Sequence, residues 1–180
     1  MLASVDMKKR CLALPLLGLI LVLQPLLGCK SSSGLAPGAK APDFVVSRVD
    51  GAARKLSGYR GKAVVLNMWA TWCMPCVEEM PVLNAIQREF GARGLEVLGL
   101  AGDDDPQRVR DFMVDHDLEF EVLLDPDGSV GTMYEITGYP ETFFIDREGR
   151  IRWKFIGRLP SDGGRPSVEV RTRIEALMGG

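Results

Sequence analysis

Two cysteines, Cys73 and Cys76, are separated only by Met74 and Pro75, and they stand where an apolar strand pattern gives way to a helical one. Cysteines at this spacing can close a small ring without a large rearrangement, so the pair can alternate between a dithiol and a disulfide. Backbone N–H groups and the dipole at a helix N-terminus stabilise a thiolate, which predicts a lowered pKa and nucleophilic character for Cys73. Cys76, one turn into the helix, is predicted to attack the Cys73 sulfur and so resolve a mixed disulfide with another molecule.

The remaining cysteines, Cys11 and Cys29, both fall in an N-terminal segment that differs from the rest of the chain. Residues 8–10 form a positive patch, and residues 11–28 carry no charge and are rich in leucine. This order is typical of a secretion signal. Met7 stands directly before the patch and is a second candidate for the first translated residue. The two cysteines of the C-x-x-C motif are therefore the pair left for redox chemistry.

Residues 26–29 read Leu-Leu-Gly-Cys, which resembles the lipobox of bacterial lipoproteins, where the cysteine is diacylated and becomes the new N-terminus. The resemblance implies a signal peptide over residues 1–28 and a lipid anchor on Cys29. Leu27 departs from the motif, which more often has a small residue there, and the alternative is an uncleaved transmembrane anchor. In both cases the domain that follows lies outside the cytoplasm. The Ser, Gly, Ala and Pro content after the cysteine predicts a flexible tether over residues 29–40.

The composition is that of a globular protein, with 46% hydrophobic and 26% charged residues in a chain of 180. This length, without the leader, is sufficient for one domain with a sizeable core, which we place at residues 41–180. The formal net charge of -2 provides no basic field for phosphates. Nucleic acid is therefore not expected among the partners.

The apolar pattern of residues 41–180 alternates between strand-like and helix-like periods. The run at 63–68 is continuous rather than alternating, which is typical of a central strand covered on both faces. The predicted strands cover residues 63–68, 95–100, 119–124, 142–145 and 150–156, preceded by a strand at 42–46 with its return strand at 55–56. Two predicted helices begin at Pro75 and Pro106, and two more cover residues 129–136 and 167–178. This order predicts an α/β fold with a central mixed β-sheet flanked by helices and an N-terminal strand or hairpin extension.

Two of the predicted helices have an apolar face at helical spacing. The helix after the cysteines is predicted to bury Val77, Met80, Leu83, Ile86 and Phe90. The last helix is predicted to bury Val168, Val170, Ile174 and Leu177. Asp105 is predicted to cap the helix that starts at Pro106.

Residues 67–76, Asn-Met-Trp-Ala-Thr-Trp-Cys-Met-Pro-Cys, resemble the active-site segment of thioredoxin-fold proteins. Within that fold the chain is most similar to the membrane-anchored reductases of cytochrome c maturation and to related disulfide reductases. The resemblance extends to Pro-Asp-Phe at 42–44, Gly-Tyr-Pro-Glu-Thr-Phe at 138–143, and Ile-Asp at 145–146 with a glycine beyond. It implies a thioredoxin-like three-layer fold for the whole of residues 41–180.

The same resemblance implies a substrate-contact surface around the cysteines. Pro140 is expected to follow a cis peptide bond and to lie against the cysteine pair, where the backbone of Tyr139 can pair with an extended substrate segment. From the residues alone, a trans proline in a turn is the alternative. Trp72, beside Cys73, is expected to contribute to the contact surface, whereas Trp69 and Trp72 could equally serve as core and rim packing.

Three polar positions bear on proton transfer. Thioredoxins proper have a buried aspartate six positions before the first cysteine, and Asn67 occupies that position here. Glu79, three residues after Cys76, matches a glutamate of the anchored reductases and is our candidate to take the proton from Cys76. Glu141 also matches an acidic residue of those reductases and is a candidate to tune thiol acidity. The alternatives are a solvated helix carboxylate for Glu79 and a strand-edge charge for Glu141.

The cysteine pair has three other interpretations. A structural disulfide across two residues would restrict the unfolded chain little. A module that binds copper or another soft metal needs further ligands, and His116, the only histidine, lies in a polar stretch after a helix, where a solvated residue is expected. A peroxiredoxin-like peroxidase needs a proline and a threonine that frame its cysteine, and Leu66 and Ala70 occupy those places.

We therefore expect an extracytoplasmic thiol:disulfide oxidoreductase that uses Cys73 and Cys76 and no cofactor or metal. Met74 and Pro75 lack the histidine that strongly oxidising relatives have between their cysteines, which favours a reductant. The expected partners are protein disulfides, including apocytochrome c, and a membrane thiol electron donor. The expected location is the membrane surface, through the lipid anchor, on the periplasmic side in a Gram-negative cell.

Overall fold

A computed structural model of the protein describes residues 35–103 and 105–179. The predicted signal peptide over residues 1–28 and the predicted lipid site, Cys29, lie outside the described residues. No helix within the described ranges is both long and apolar enough to cross a membrane.

The strands of the described chain form one large sheet and one small hairpin. They are β1 (Val45–Arg48), β2 (Ala53–Lys55), β3 (Ala63–Trp69), β4 (Leu95–Ala101), β5 (Glu121–Leu124), β6 (Glu141–Ile145), β7 (Ile151–Ile156), β8 (Ser161–Asp162) and β9 (Arg165–Pro166). The large sheet has the order β2-β1-β5-β4-β3-β6-β7, and β8 pairs with β9. Strands β3, β4 and β5 are parallel, whereas β1, β2, β6 and β7 pair antiparallel with their neighbours. The prediction of a mixed sheet is confirmed.

Three of the four α-helices in the described chain begin at a residue whose side chain caps the helix. The four helices are α1 (Met74–Phe90), α2 (Pro106–Asp115), α3 (Ser129–Met133) and α4 (Val168–Met178), and short 3-10 turns cover Leu56–Tyr59 and Gly91–Arg93. The Asp105 side chain accepts from the Gln107 N–H at 2.8 Å, as expected of the cap of α2. Gly94, with a φ of 95°, follows the turn that ends α1 in the left-handed conformation that glycine adopts readily.

Strand β3 is the centre of the fold, and all seven of its residues are buried. Alternate side chains belong to two cores, as the period of a strand requires. Val65 and Trp69 pack with α1 residues in one core, and Leu66 and Met68 pack with Phe143 in the other. The prediction of a strand covered on both faces is confirmed, and its C-terminal end leads directly to the cysteines.

The structure differs from the sequence predictions at element ends. Strand β1 begins at Val45 rather than at Pro42, and the β8–β9 hairpin was not predicted. Val168 is 80% exposed, whereas Val170 and Ile174 are fully buried. Val168 is the first residue of α4, and at two positions before Val170 its side chain points to the other side of the helix. The prediction that Val168 belongs to the buried face is therefore wrong.

The segment just before Ala41 also differs from the prediction of a tether that extends to residue 40. The Gly38 N–H donates to the Ile151 carbonyl at 2.7 Å, and the Ile151 N–H donates to the Ala39 carbonyl at 2.9 Å. Lys40 continues this pairing with a bridge to Arg150. These residues pair with the start of β7, so the packed part of the chain begins before Ala41.

Candidate active site

Cys73 and Cys76 form a disulfide at the start of α1, with the two Cα atoms 5.2 Å apart. Cys73 is the N-cap residue, and its sulfur accepts from the Cys76 N–H at 3.3 Å. Pro75 lies in the first turn, where a missing N–H costs no helical hydrogen bond. Cys73 is 6% exposed and Cys76 is wholly inaccessible, so the leading sulfur is the one nearer to solvent. The inaccessible sulfur belongs to Cys76, the residue predicted to resolve the mixed disulfide.

Glu79 lies one helical turn after Cys76, and its side chain is completely buried. Residues at this spacing are neighbours on one face of a helix. One carboxylate oxygen accepts from the Leu159 N–H at 2.8 Å, and the other accepts from the Asn67 side-chain amide at 3.2 Å. Burial raises the pKa of Glu79 to about 7, although these hydrogen bonds and the charge of Arg158 act in the opposite direction. The solvated helix carboxylate that we considered for Glu79 is not what the structure shows.

The neighbouring residue Glu78 has the environment that a solvated carboxylate would have. Its side chain is 56% exposed and pairs with Arg158 at the protein surface. The chain segment at 158–159 is therefore attached to α1 twice, once at the surface through Glu78 and once in the interior through Glu79.

Aromatic side chains border the disulfide on its exposed side. Trp72 is 63% exposed and meets the Tyr139 ring edge to face, with the ring centroids 5.7 Å apart. The Tyr139–Pro140 peptide bond is cis, as the resemblance implied. Tyr139 packs over Gly102, where an added Cβ would overlap the tyrosine hydroxyl. Trp69, by contrast, is fully buried, so only Trp72 belongs to the surface.

One surface groove borders this site, and a larger surface groove does not. A groove of about 540 Å³ borders Trp72 and is lined further by Thr71, Phe112 and polar residues of α2. A larger groove of about 830 Å³ runs along β1 and Pro106, and its lining includes none of the site residues described above. The groove at Trp72 adjoins the cysteine motif through that side chain, and neither cysteine is part of its lining.

Asp103 is a site residue that the sequence did not reveal as such. It is 2% exposed, and its carboxylate accepts from the Thr71 N–H at 2.9 Å and from the Thr71 hydroxyl. These bonds hold the turn between β3 and Trp72 against the end of β4. In the sequence, the acidic run at 103–105 left open whether this loop recognises a partner or caps a helix, and Asp105 fills the capping role. The sequence signal for this contact is that Thr71 follows β3 and Asp103 follows β4, since these two strands are neighbours in the sheet.

Glu141 opens β6, which lies between β3 and β7, so it is not at the edge of the sheet. Its side chain is wholly buried. One oxygen accepts from the Thr137 N–H at 2.7 Å and from the Thr137 hydroxyl at 2.6 Å, and the other lies 2.6 Å from the Lys154 ammonium. Burial alone would raise the pKa of Glu141, but the Lys154 and Thr137 contacts lower it overall.

The remaining candidates do not join the site. His116 lies exposed at the C-terminal end of α2, where its ring stacks on Phe112 at 4.0 Å. In residues 35–103 and 105–179, no group of three or more His, Cys, Asp or Glu side chains is arranged to hold a metal ion.

Comparison with known proteins gives a consistent result. Residues 37–154 match the AhpC/TSA family. The chain is 36% identical over 114 residues to the thiol-disulfide oxidoreductase ResA of Bacillus thuringiensis subsp. konkukian, a match that covers 63% of this chain and 66% of the relative. It is 33% identical over 137 residues to ResA of Geobacillus thermodenitrificans, which covers 76% and 79%. A crystal structure of a Chlorobium tepidum protein, described as thiol:disulfide interchange protein DsbE, superposes with a TM-score of 0.74 at 33% identity, over 81% of this chain and 99% of the other.

Proposed function

The chain belongs to the AhpC/TSA family of thioredoxin-fold proteins and is a thiol:disulfide oxidoreductase, and from this premise we propose that it reduces the disulfides of other proteins outside the cytoplasm. The observation that carries the proposal is the position of the Cys73–Cys76 disulfide at the first turn of α1. In the reduced protein, the helix N–H groups at this position favour a thiolate on Cys73. The more accessible sulfur is thus also the better nucleophile.

The reaction then transfers two electrons in two steps. The Cys73 thiolate attacks a disulfide of the substrate, a sulfur–sulfur bond to Cys73 forms, and the first substrate sulfur leaves as a thiolate that takes a proton from solvent. Cys76 next loses its proton and attacks the Cys73 sulfur, which releases the second substrate sulfur. The substrate gains two thiols, and the protein is left with the Cys73–Cys76 disulfide seen in the structure.

The second step needs a proton acceptor next to a buried thiol, and Glu79 supports this role. Cys76 is inaccessible, so its proton must pass to a protein group or to a trapped water. Glu79 lies one turn away on the same helix face and has a pKa of about 7, raised by burial. A base with a pKa near the working pH can both accept and later return a proton.

Substrate contact is proposed for Trp72, Tyr139 and Pro140. The exposed indole of Trp72, the residue before Cys73, meets the ring of Tyr139, and the two rings form an apolar ledge. We propose that an extended substrate segment at this ledge pairs with the Tyr139 backbone. Pro140 has no N–H and therefore cannot donate a hydrogen bond to the segment. Glu141 is proposed to tune thiol acidity from beneath this segment, in combination with its ion partner Lys154.

We also propose reduction as the direction of the reaction, and we propose partners for it. The residues between the cysteines are Met74 and Pro75, without the histidine of strongly oxidising relatives, which supports a reductant. We propose protein disulfides as substrates, with apocytochrome c before haem attachment as the specific case, and a membrane thiol carrier as the electron donor. The relatives named ResA and DsbE support this class of reaction.

A membrane location is proposed from the N-terminal sequence. The basic patch, the uncharged segment and the Leu-Leu-Gly-Cys run support export, cleavage after Gly28 and lipidation of Cys29, which leaves the domain tethered to the membrane surface. Cys29→Ser should then move the protein from the membrane fraction to the soluble extracytoplasmic fraction. An unchanged membrane fraction would favour the uncleaved anchor instead.

The experiment that tests the proposed function combines a potential with a trapping variant. Equilibration against a dithiol buffer should give a potential near that of thioredoxin, about −270 mV, whereas a value near −120 mV would indicate an oxidant. Cys76→Ser should accumulate mixed disulfides with substrate proteins on non-reducing gels, because the resolving thiol is absent. Cys73→Ser is the matched control and should trap none. Equal trapping by both variants would contradict the assigned roles.

A further inference from the structure

Strand β3 carries one hydrogen-bonding side chain in the middle of an otherwise apolar, fully buried run. That side chain is Asn67, whose exposed fraction is zero. It lies on the α1 side of the sheet, the side on which Val65 and Trp69 pack with Cys76. A buried amide at this place must satisfy both its donors and its acceptor from the protein interior, or bear the cost of leaving one unpaired.

Only half of this requirement is met in the arrangement seen. The two hydrogens of the Asn67 amide nitrogen point to the Glu79 carboxylate at 3.2 Å and to the Thr142 hydroxyl oxygen at 2.9 Å. The Asn67 carbonyl oxygen has no hydrogen-bond partner within the described part of the chain. Thr142 faces Asn67 directly across the β3–β6 pairing, and it too is fully buried.

We propose that Asn67 is a positioning residue that supports Glu79 in both of its protonation states by turning its side-chain amide over, with the Thr142 hydroxyl turning in concert. The idea rests on the proposed acid–base role of Glu79 and adds the partner that this role requires. A carboxylate needs a donor, whereas a carboxylic acid needs an acceptor for its own proton. Asn67 holds both groups on one rotatable amide, and Thr142 can donate as well as accept.

In each state Glu79 and the Thr142 hydroxyl are paired with Asn67. The turned-over amide directs its two N–H groups to the space that its oxygen occupies now, at the cost of leaving them without a described partner. With Glu79 charged, the Asn67 nitrogen donates one hydrogen to Glu79 and the other to Thr142, as in the structure. With Glu79 protonated and the amide turned over, the Asn67 oxygen accepts the new Glu79 O–H on one lone pair and the Thr142 O–H on the other. The proton that Cys76 gives up is the only atom added. The Leu159 N–H donates to the second Glu79 oxygen in both states.

Asn67 and Thr142 are the described residues that can exchange a hydrogen-bond donor for an acceptor when Glu79 gains a proton. Glu79 lies three residues after Cys76 on its own helix, accepts from Asn67 of β3 and from the Leu159 N–H of the segment after β7, and is influenced by the charge of Arg158. Arg158 is already paired with Glu78 at the surface. The Leu159 N–H is a donor only and cannot receive the Glu79 proton, so Asn67 is the described neighbour with an acceptor to offer.

Two variants of Thr142 separate this role from simple packing. Thr142→Val keeps the shape but removes the hydroxyl, which adds one unpaired Asn67 N–H in the charged state of Glu79 and one unfilled Asn67 lone pair in the protonated state. An unpaired donor is more costly than an unfilled lone pair, so the midpoint of Glu79 should move up by about one pH unit. Thr142→Ser retains the hydroxyl and should keep the wild-type midpoint.

The test is an NMR titration of the oxidised full-length protein in detergent micelles, with the Glu79 carboxyl carbon and the Asn67 side-chain NH₂ followed together. We expect both signals to change with one midpoint, and this midpoint to rise in Thr142→Val but not in Thr142→Ser. If Glu79 titrates while the Asn67 signals stay constant, or if both Thr142 variants keep the wild-type midpoint, the inference is overturned and the acid–base role of Glu79 stands. If Glu79 does not titrate between about pH 5 and pH 9, the acid–base role falls and the inference with it.

Discussion

The buried carboxylate of Glu79 should make the folding stability of the oxidised protein decrease as the pH rises. Burial raises the pKa of Glu79 from 4.5 to about 7 in the folded protein. Between these two values the unfolded chain has released the proton while the folded chain still binds it. The free energy of unfolding therefore falls with increasing pH, because the folded state binds more protons in this interval. The contribution is complete below pH 4.5 and is lost as the pH passes 7.

The size of the effect follows from the difference between the two pKa values. Each unit of pKa difference corresponds to about 1.4 kcal/mol, so a carboxyl group shifted from 4.5 to about 7 contributes about 3 kcal/mol across the interval. Glu79→Gln cannot ionise, and its amide can still accept from the Leu159 N–H. The stability of this variant relative to wild type should therefore rise by about 3 kcal/mol between about pH 4 and about pH 8.

The assay is urea unfolding of the oxidised full-length protein in a non-ionic detergent, followed by tryptophan fluorescence at a series of pH values. Glu78→Gln is the matched control, since Glu78 is the adjacent residue on the same helix but is exposed at the surface. Its stability relative to wild type should stay constant with pH to within about 0.5 kcal/mol. Parallel pH profiles for wild type and Glu79→Gln would refute the reasoning, because they would mean that Glu79 has the same pKa in the folded and unfolded chains.

Two further changes test the surroundings of the cysteines. Gly102→Ala places a Cβ against the Tyr139 hydroxyl and should destabilise the protein by about 1–3 kcal/mol and lower kcat/KM, whereas Gly58→Ala, which has open space around it, should do neither. Equal unfolding curves for the two variants would contradict the close packing of Tyr139. Glu141→Gln removes the buried negative charge that pairs with Lys154 and should lower the pKa of the Cys73 thiol, measured from the ultraviolet absorbance of the thiolate. An unchanged thiol pKa would remove Glu141 from the tuning role.

The parts of the fold that follow local rules could be predicted from the sequence. Strand β3 is a continuous apolar run, and the cap and proline at the start of α2 are adjacent in sequence, so each carries its signal within a few residues. The cysteines are equally local, because a C-x-x-C at a strand-to-helix junction fixes which sulfur caps the helix. The cis bond before Pro140 came from the resemblance to a family and not from local pattern.

The environment of the buried carboxylates could not be predicted in this way. The Leu159 N–H that binds Glu79 is 80 positions away in the chain, and the Asp103 carboxylate that binds Thr71 is 32 positions away. Such contacts depend on how loops after different strands come together, which the period of a strand or helix does not specify. The same holds for Lys154, which meets Glu141 only because β6 and β7 pair.

The placement of Glu79, the proposed acid–base carboxylate, on α1 separates two properties that the proposed reaction needs. Cys76 and Glu79 are three positions apart on one helix, so the geometry of the helix fixes the distance between them, whatever the position of the helix on the sheet. The partners that set the charge state of Glu79, the Leu159 N–H and Asn67, come from other elements. In a protein with a buried aspartate on β3, both properties would depend on how the helix packs against the strand. Here substitutions of the residues around Glu79 can change its affinity for a proton, while the helix keeps the spacing between Cys76 and Glu79 unchanged.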